Sequence, residues 1–312
     1  MKNKTLISVV GTTGIGKTKL AIELAKRFNT EIISCDSRQF FSEMKIGTAA
    51  PSEDELSQAK HHFIGQLSVK DYYSIGQFEH DSLELLDQLF EKYDIVIMVG
   101  GSMMYEKAVI EGLNDLPEAN EKNQEKLEAI WKTEGIEKLQ EMLKDLDPEY
   151  YENVDIHNQR RLLRAIDIIW QTGKTYSENI SESTTPRNFK TVRIGIEAQR
   201  EIVYDRINLR VDKMMENGLL DEAKSLDELR KSQEGRNLAS LNTVGYSELF
   251  KYFDGEWDLD FAVSEIKKNS RRFAKRQLTW YRKEENIHYI QVGYSERDFS
   301  GLIEYIIEQI QN

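Results

Sequence analysis

Apolar residues recur along this chain with two periods that alternate in order. Residues 5–10 (TLISVV) are a short β-branched apolar run, which predicts a strand buried on both faces. Residues 19–28 then place Leu20, Ile22, Leu24, Ala25 and Phe28 at the spacing of a helix laid on a sheet. Buried strands are predicted again at 31–35, 93–99, 190–196 and 286–292, with helical periods at 76–90, 200–215 and 302–310. The stretch 111–117 (EGLNDLP) has the composition of a boundary. From there to about 186 β-branched runs are few, and 127–146 and 161–170 show clear 3.6-residue spacing. The pattern predicts an α/β fold, a parallel sheet flanked by helices, built from residues 1–115 and 190–312 and interrupted by an all-helical insertion at 116–189.

The first strand and helix enclose Gly11-Thr12-Thr13-Gly14-Ile15-Gly16-Lys17-Thr18, which fits the phosphate-loop pattern G-x-x-x-x-G-K-[ST] at every specified position. Its glycines let successive N–H groups turn inward, and the helix that follows adds the positive end of its dipole. Lys17 supplies a full charge and Thr18 a hydroxyl suited to a magnesium ion. The core is therefore of the P-loop NTPase-like kind and binds a di- or triphosphate. Asp36 ends the second strand, at the sheet edge that faces a ligand crevice; the competing reading is a turn aspartate that caps the next segment. The strand at 93–99 ends in Gly100-Gly101-Ser102, and its aspartate, Asp94, is at the wrong end to hold magnesium as in a nucleotide hydrolase.

Composition narrows the classes. No apolar run approaches the roughly 18 residues that span a membrane, and the single cysteine, Cys35, excludes an internal disulfide and a thiolate zinc cluster. These features point to the cytoplasm. His61 and His62 are adjacent, so on a strand they face opposite ways, and no third ligand is spaced to help; a hydrogen-bonding role is expected. The net charge of −12 argues against nucleic acid when taken alone, but affinity for phosphates depends on local clusters. Basic residues gather twice: at Arg160, Arg161 and Arg164, and at 267–283, where Lys268, Arg272 and Arg276 recur every four residues with Lys275 beside them. Phe273 and Trp280 are expected in the core of that helix. Arg206 and Arg210 lie four apart on another helix, suited to gripping an anionic oxygen pair, with Arg206 favoured as the catalytic clamp.

Asp36-Ser37-x-Gln39, Met44-x-Ile46-Gly47-Thr48-Ala49-x-Pro51 and the phosphate loop together resemble the tRNA dimethylallyltransferases. Val99-Gly100-Gly101-Ser102-Met103-Met104-Tyr105, the block 160–166, Gly173-Lys174-Thr175 and Asn242-Thr243-Val244-Gly245-Tyr246-Ser247 continue the likeness in family order over nearly the whole chain. The resemblance implies transfer of a prenyl group from dimethylallyl diphosphate to the exocyclic amine of the adenosine 3′ to the anticodon, with Mg2+ as cofactor. It implies catalytic roles for Lys17, Asp36, Ser102 and Arg206, and diphosphate contacts from residues 11–18 and Arg210. It also implies contacts to the anticodon stem-loop of tRNA from Asp36, Ser37, Arg38, Gln39, Gln124, Arg160, Arg161, Leu162, Leu163, Arg164, Asn242, Thr243, Val244, Gly245, Tyr246, Arg272, Lys275 and Arg276. A monomer without a membrane partner is expected. This chain departs from the family's usual residues at Phe41 (tyrosine), Ser102 (threonine), Asn120 (aspartate), Gln124 (arginine) and Thr243 (cysteine). Two other classes compete: an ATP-dependent small-molecule kinase, and a non-catalytic RNA-binding module with a nucleotide switch.

Overall fold

In the structure, a computed structural model that describes residues 4–181, 186–235, 238–293 and 300–311, the chain forms two compact units. One comprises Met1–Ile110 and Arg187–Asn312, the other Glu111–Pro186. The return to the first unit is pinned at Arg187. Its guanidinium donates to Val109 O (2.9 Å) and Ala108 O (2.7 Å) and pairs with Glu79.

The first unit is built on a six-stranded parallel sheet. Its strands are β1 (Thr5–Gly11), β2 (Ile32–Ser34), β3 (His61–His62), β4 (Ile95–Val99), β5 (Lys190–Glu197) and β6 (Ile287–Gln291), in the order β3-β2-β4-β1-β5-β6. The two-residue period of the strands divides the core. Ile7, Val9, Ile97, Val99, Val192 and Ile194 meet Leu20, Leu24, Val203 and Ile207 on one face, whereas Leu6, Ile33, Val96 and Met98 meet Phe78, Leu86 and Phe90 on the other. The strands and helices expected in this unit form with ends shifted by a few residues. The third expected strand begins at Ile95, and the expected helix at 76–90 runs from Ile75 to Lys92. His62 Nε2 lies 2.6 Å from Glu31 Oε2 and His61 Nδ1 2.8 Å from Ala59 O, so both rings are hydrogen-bonded. A further cluster of helices, among them Arg200–Glu216, Leu219–Lys231, Tyr246–Phe253 and Leu259–Tyr281, packs around the buried side chains of Val211, Leu219, Leu226, Tyr246, Leu249 and Ile266.

The second unit is helical: Glu121–Glu134, Ile136–Leu146, Pro148–Asn153, Gln159–Thr172 and Tyr176–Ser181 pack around Leu127, Leu139, Leu143, Leu162 and Ile166. Among the described residues no helix is long and apolar enough to cross a membrane.

One face of β5 carries a charge instead of an apolar side chain. Arg193 Nε donates to Glu106 Oε1 (3.0 Å), which also accepts from Ser8 Oγ (3.0 Å), and Arg193 NH1 donates to Glu284 Oε2 (3.1 Å). Burial pushes the Glu106 carboxyl up, and Arg193 opposes that shift. Removing one member of a buried pair leaves an uncompensated charge. Arg193→Ala is therefore expected to cost about 3–5 kcal/mol of unfolding free energy in urea titrations. The double variant Glu106→Gln/Arg193→Met, which removes both charges, should cost much less. Equal losses in the two proteins would show that the ion pair itself is not what matters.

Candidate active site

The site is assembled at the carboxyl edge of the sheet. β1 runs into the loop of residues 12–16, where Gly14 and Gly16 take φ of +78° and +110°, the left-handed region that glycine enters freely. The helix Lys17–Phe28 then begins with Gly16 as its N-cap. Lys17 Nζ bonds Thr12 O at 2.9 Å. Burial, followed by the nearby Arg210, pulls the Lys17 pKa down to about 8, while Asp36 acts in the opposite sense.

β2 and β4 are neighbours, so the segments that follow them meet. Cys35 N donates to Val99 O (2.8 Å), Ser37 N donates to Ser102 Oγ (2.9 Å), and the two serine hydroxyls are 2.9 Å apart. Asp36 accepts from Arg38 N through Oδ1 (3.1 Å). Its Oδ2 lies so close to Gly101 that a Cβ there would come within 2.7 Å of it. Glycine at 101 is thus what lets the carboxylate stand beside Ser102.

The helix Arg200–Glu216 brings two arginines to the loop, but to different parts of it. Arg210 NH1 donates to Thr13 Oγ1 (3.0 Å) and NH2 to Thr48 O (3.4 Å); burial lowers its pKa and Asp36 raises it. Arg206 instead donates to two carbonyls, Ile15 O (3.2 Å) and Gly293 O (2.9 Å). Arg210, not Arg206, faces the carboxylate and the loop hydroxyl.

A cavity of about 360 Å3 opens at this point, within the usual range of small-molecule sites. Thr13, Asp36, Ser37, Ser102 and Arg210 form one wall; Asn242–Gly245, Phe273 and Arg276 form another. A neighbouring cavity of about 700 Å3 shares Arg210 and Met214 with it and is lined by Gly14, Gln39, Phe41 and Arg206 among others. Gln39 Nε2 donates to Thr48 O (3.2 Å) and Ala49 O (3.0 Å), closing the loop that separates strand from helix here. Arg38 NH1 reaches Ala239 O (3.3 Å), which ties the segment after β2 to the one that leads into Asn242. Thr243 donates to Ser240 O (2.7 Å).

Several expected RNA contacts need correcting. The Tyr246 side chain is fully buried and its hydroxyl donates to Glu222 (2.6 Å), so it supports the loop from beneath and has no surface to offer. Leu162 is likewise fully buried, because the helical period turns it into the core of the second unit, and Leu163 is half-buried against the same core. Arg164 is held by Asp167 Oδ2 (3.3 Å) and Pro117 O. Arg160 and Arg161 are exposed at the start of Gln159–Thr172, Gln124 is half-buried, and Asn120 caps Glu121–Glu134 by accepting from Asn123 N. On Leu259–Tyr281, Lys268 pairs with Glu265 and Lys267 with Asp212. Arg272, Lys275 and Arg276 remain exposed around a hollow of about 420 Å3 that includes Thr279, Trp280 and Lys283. The aromatic residue buried in this helix is Tyr281; Phe273 and Trp280, expected in the core, are half-exposed.

Sequence reasoning passed over Gln277, whose Oε1 accepts from Thr13 N (2.8 Å). It is fully buried and interrupts the apolar stripe Ala262, Ile266, Ala274, Tyr281. A polar residue on that stripe was the available signal.

Comparison with known proteins agrees with this geometry. The family model for IPP transferase matches residues 39–284. A tRNA dimethylallyltransferase of Christiangramia forsetii is 50% identical over 299 residues, 96% of this chain and 97% of that protein. The crystal structure of a tRNA isopentenylpyrophosphate transferase from Bacillus halodurans is 35% identical, with a TM-score of 0.72 over 99% of this chain and 97% of its own. A eukaryotic dimethylallyltransferase acting on tRNA, 24% identical, has the same fold with a TM-score of 0.84, over 97% of this chain and 78% of that one. These likenesses do not favour the kinase reading. The chain belongs to the IPP transferase family and is a prenyltransferase of the tRNA dimethylallyltransferase kind.

Proposed function

We propose that this enzyme transfers the dimethylallyl group of dimethylallyl diphosphate to the N6 amine of the adenosine 3′-adjacent to the anticodon in tRNA, releasing diphosphate. The observation that carries the reading is a cavity whose lining joins Thr13 of the phosphate loop and Arg210 to the Asp36 carboxylate, Phe273 and Arg276. The loop N–H groups, Lys17 and Arg210 suit a diphosphate. The adenosine leaves the anticodon loop to reach it, as bases do in enzymes that modify them, and Phe273 offers a face on which to stack.

In the reaction the N6 nitrogen bonds to C1 of the allylic group while the C1–O bond breaks, and its electron pair stays on the diphosphate. The N6 proton passes to Asp36. Negative charge grows on the leaving oxygens, so Lys17 and Arg210 stabilise the transition state more than the ground state. Arg206 supports the loop through Ile15 O. Among the described residues no three carboxylate, imidazole or thiolate groups are placed to hold a metal alone. The donors present, the Thr18 hydroxyl beside a diphosphate, suit Mg2+, which keeps waters and takes substrate oxygens. When bound it would neutralise part of the leaving-group charge. Arg160, Arg161, Arg272, Lys275 and Arg276 are the exposed cations offered to the anticodon stem-loop. We take the enzyme to act as a monomer in the cytoplasm, where tRNA is found.

Incubation with unmodified tRNA and dimethylallyl diphosphate, followed by mass spectrometry of nucleosides, should give dimethylallyladenosine; consumption of ATP with a small alcohol would overturn the reading. Lys17→Ala and Arg210→Ala should each lower kcat about 10²- to 10³-fold, the cost of removing one group aimed at developing charge. Arg206→Ala should cost less, and tRNA binding should survive in all three. Loss of tRNA binding with single-turnover chemistry intact would exclude these roles. Because Lys17 of the free enzyme titrates near 8, it loses its charge as pH rises through that value. KM for dimethylallyl diphosphate should then climb, toward roughly tenfold per pH unit. Bound diphosphate restores the charge, so kcat should hold. A flat KM across this range would remove Lys17 from the diphosphate site.

A further inference from the structure

The helix Leu259–Tyr281 turns two faces to different tasks. Outward it carries Arg272, Lys275 and Arg276. Inward, from a fully buried position, it carries Gln277. The amide oxygen accepts from Thr13 N (2.8 Å) and the amide nitrogen donates to Gly101 O (2.8 Å). These two partners belong to different loops, the one after β1 and the one after β4, and both loops form the cavity wall. Thr13 is also the residue whose hydroxyl accepts from Arg210, and Gly101 is the one against which Asp36 rests.

We propose that Gln277 is a positioning residue for the transfer: it fixes the spacing between the phosphate loop and Gly101–Ser102, and it ties that spacing to the helix that meets tRNA. The proposal rests on the reading of the site given above. Phosphate loops usually aim successive N–H groups at their anion. Here the Thr13 N–H is satisfied by the protein, so the loop is already set at that point before substrate binds. The required side chain is specific. An amide presents a donor and an acceptor from one terminus without charge at any pH. Methionine offers neither bond. A glutamate carboxylate keeps the acceptor for Thr13 but turns a second negative oxygen toward the Gly101 carbonyl.

Gln277 touches no part of the reacting atoms, so its loss should act through the geometry of others. With saturating tRNA, Gln277→Met should lower kcat about 10- to 100-fold, the equivalent of two buried hydrogen bonds at tenfold per 1.4 kcal/mol. KM for dimethylallyl diphosphate should rise, and Kd for tRNA should stay within about twofold. Gln277→Glu gives a readout that a packing role would not move. The charged groups gathered around the loops it bridges are Asp36 after β2, Lys17 at the start of its helix and Arg210 on the helix Arg200–Glu216. Burial and the Asp36 carboxylate favour the protonated acid, and Lys17 and Arg210 oppose it; the protonated form donates to Gly101 O and accepts from Thr13 N as the amide does, and the ionised form cannot donate. Its kcat, relative to the unchanged enzyme at saturating substrates, should therefore be greatest at low pH and fall as pH rises.

The unchanged enzyme is assayed first. If it makes no dimethylallyladenosine, the proposed function fails, and this inference with it. If it does, wild-type kcat and KM in Gln277→Met, or a pH profile in Gln277→Glu parallel to that of the unchanged enzyme, would overturn the positioning role alone. Should Gln277→Met fail to fold, the Gln277→Glu profile decides.

Discussion

The meeting of Asp36, Ser102 and the phosphate loop follows from the adjacency of β2, β4 and β1 in a parallel sheet. Parallel strands deliver all their carboxyl ends to one edge, and the order β2-β4-β1 puts three of those ends side by side. The loops that follow are then close enough to bond directly: Cys35 to Val99, Ser37 to Ser102, and Gln277 across from Thr13 to Gly101. This closeness leaves no room for a side chain at 101, where the Asp36 carboxylate already stands. A hydroxyl, a carboxylate and a phosphate loop converge without any segment having to reach far.

The same convergence sets the electrostatics. Lys17 and Arg210 are brought together around one carboxylate, Asp36. Two half-buried cations against one anion repel each other, and burial first and the neighbouring Arg210 second both push the Lys17 pKa down. An arriving diphosphate relieves that repulsion. Such a balance of charge suits an anion, and suits it better as the charge on that anion grows. Arg206 does not share in this balance, because its guanidinium is turned to the carbonyls of Ile15 and Gly293. One helical turn separates an arginine at the loop hydroxyl from one at the loop carbonyl.

How much of this could be read from the chain depends on sequence distance. The phosphate loop is local, eight consecutive residues between a strand and a helix, and it was legible in full. Asp36 was legible because a strand end is also a local feature. The choice between Arg206 and Arg210 was not, since their partners are separated from them by 191 and 197 residues. Helical period misled where two stripes were close. Phe273 and Trp280 share one stripe and Ala274, Gln277 and Tyr281 the next, and it is the second that is buried. Tyr246 and Leu162 carried the likeness of their blocks, yet both are buried, because any surface block also needs side chains to hold it up.

An excess of acidic groups is compatible with an RNA substrate for a reason visible in the pairing of charges. Lys267, Lys268 and Arg164 have carboxylate partners at 2.5, 2.5 and 3.3 Å, which offset part of their charge. Arg272, Lys275 and Arg276 stay exposed around one hollow. At physiological ionic strength charges act over about 8 Å, so a phosphate at that hollow feels its few cations far more than the net charge of −12. The acidic remainder of the surface then works against binding anywhere else. Three of the exposed cations, Arg272, Lys275 and Arg276, lie on the helix whose buried side holds the phosphate loop through Gln277.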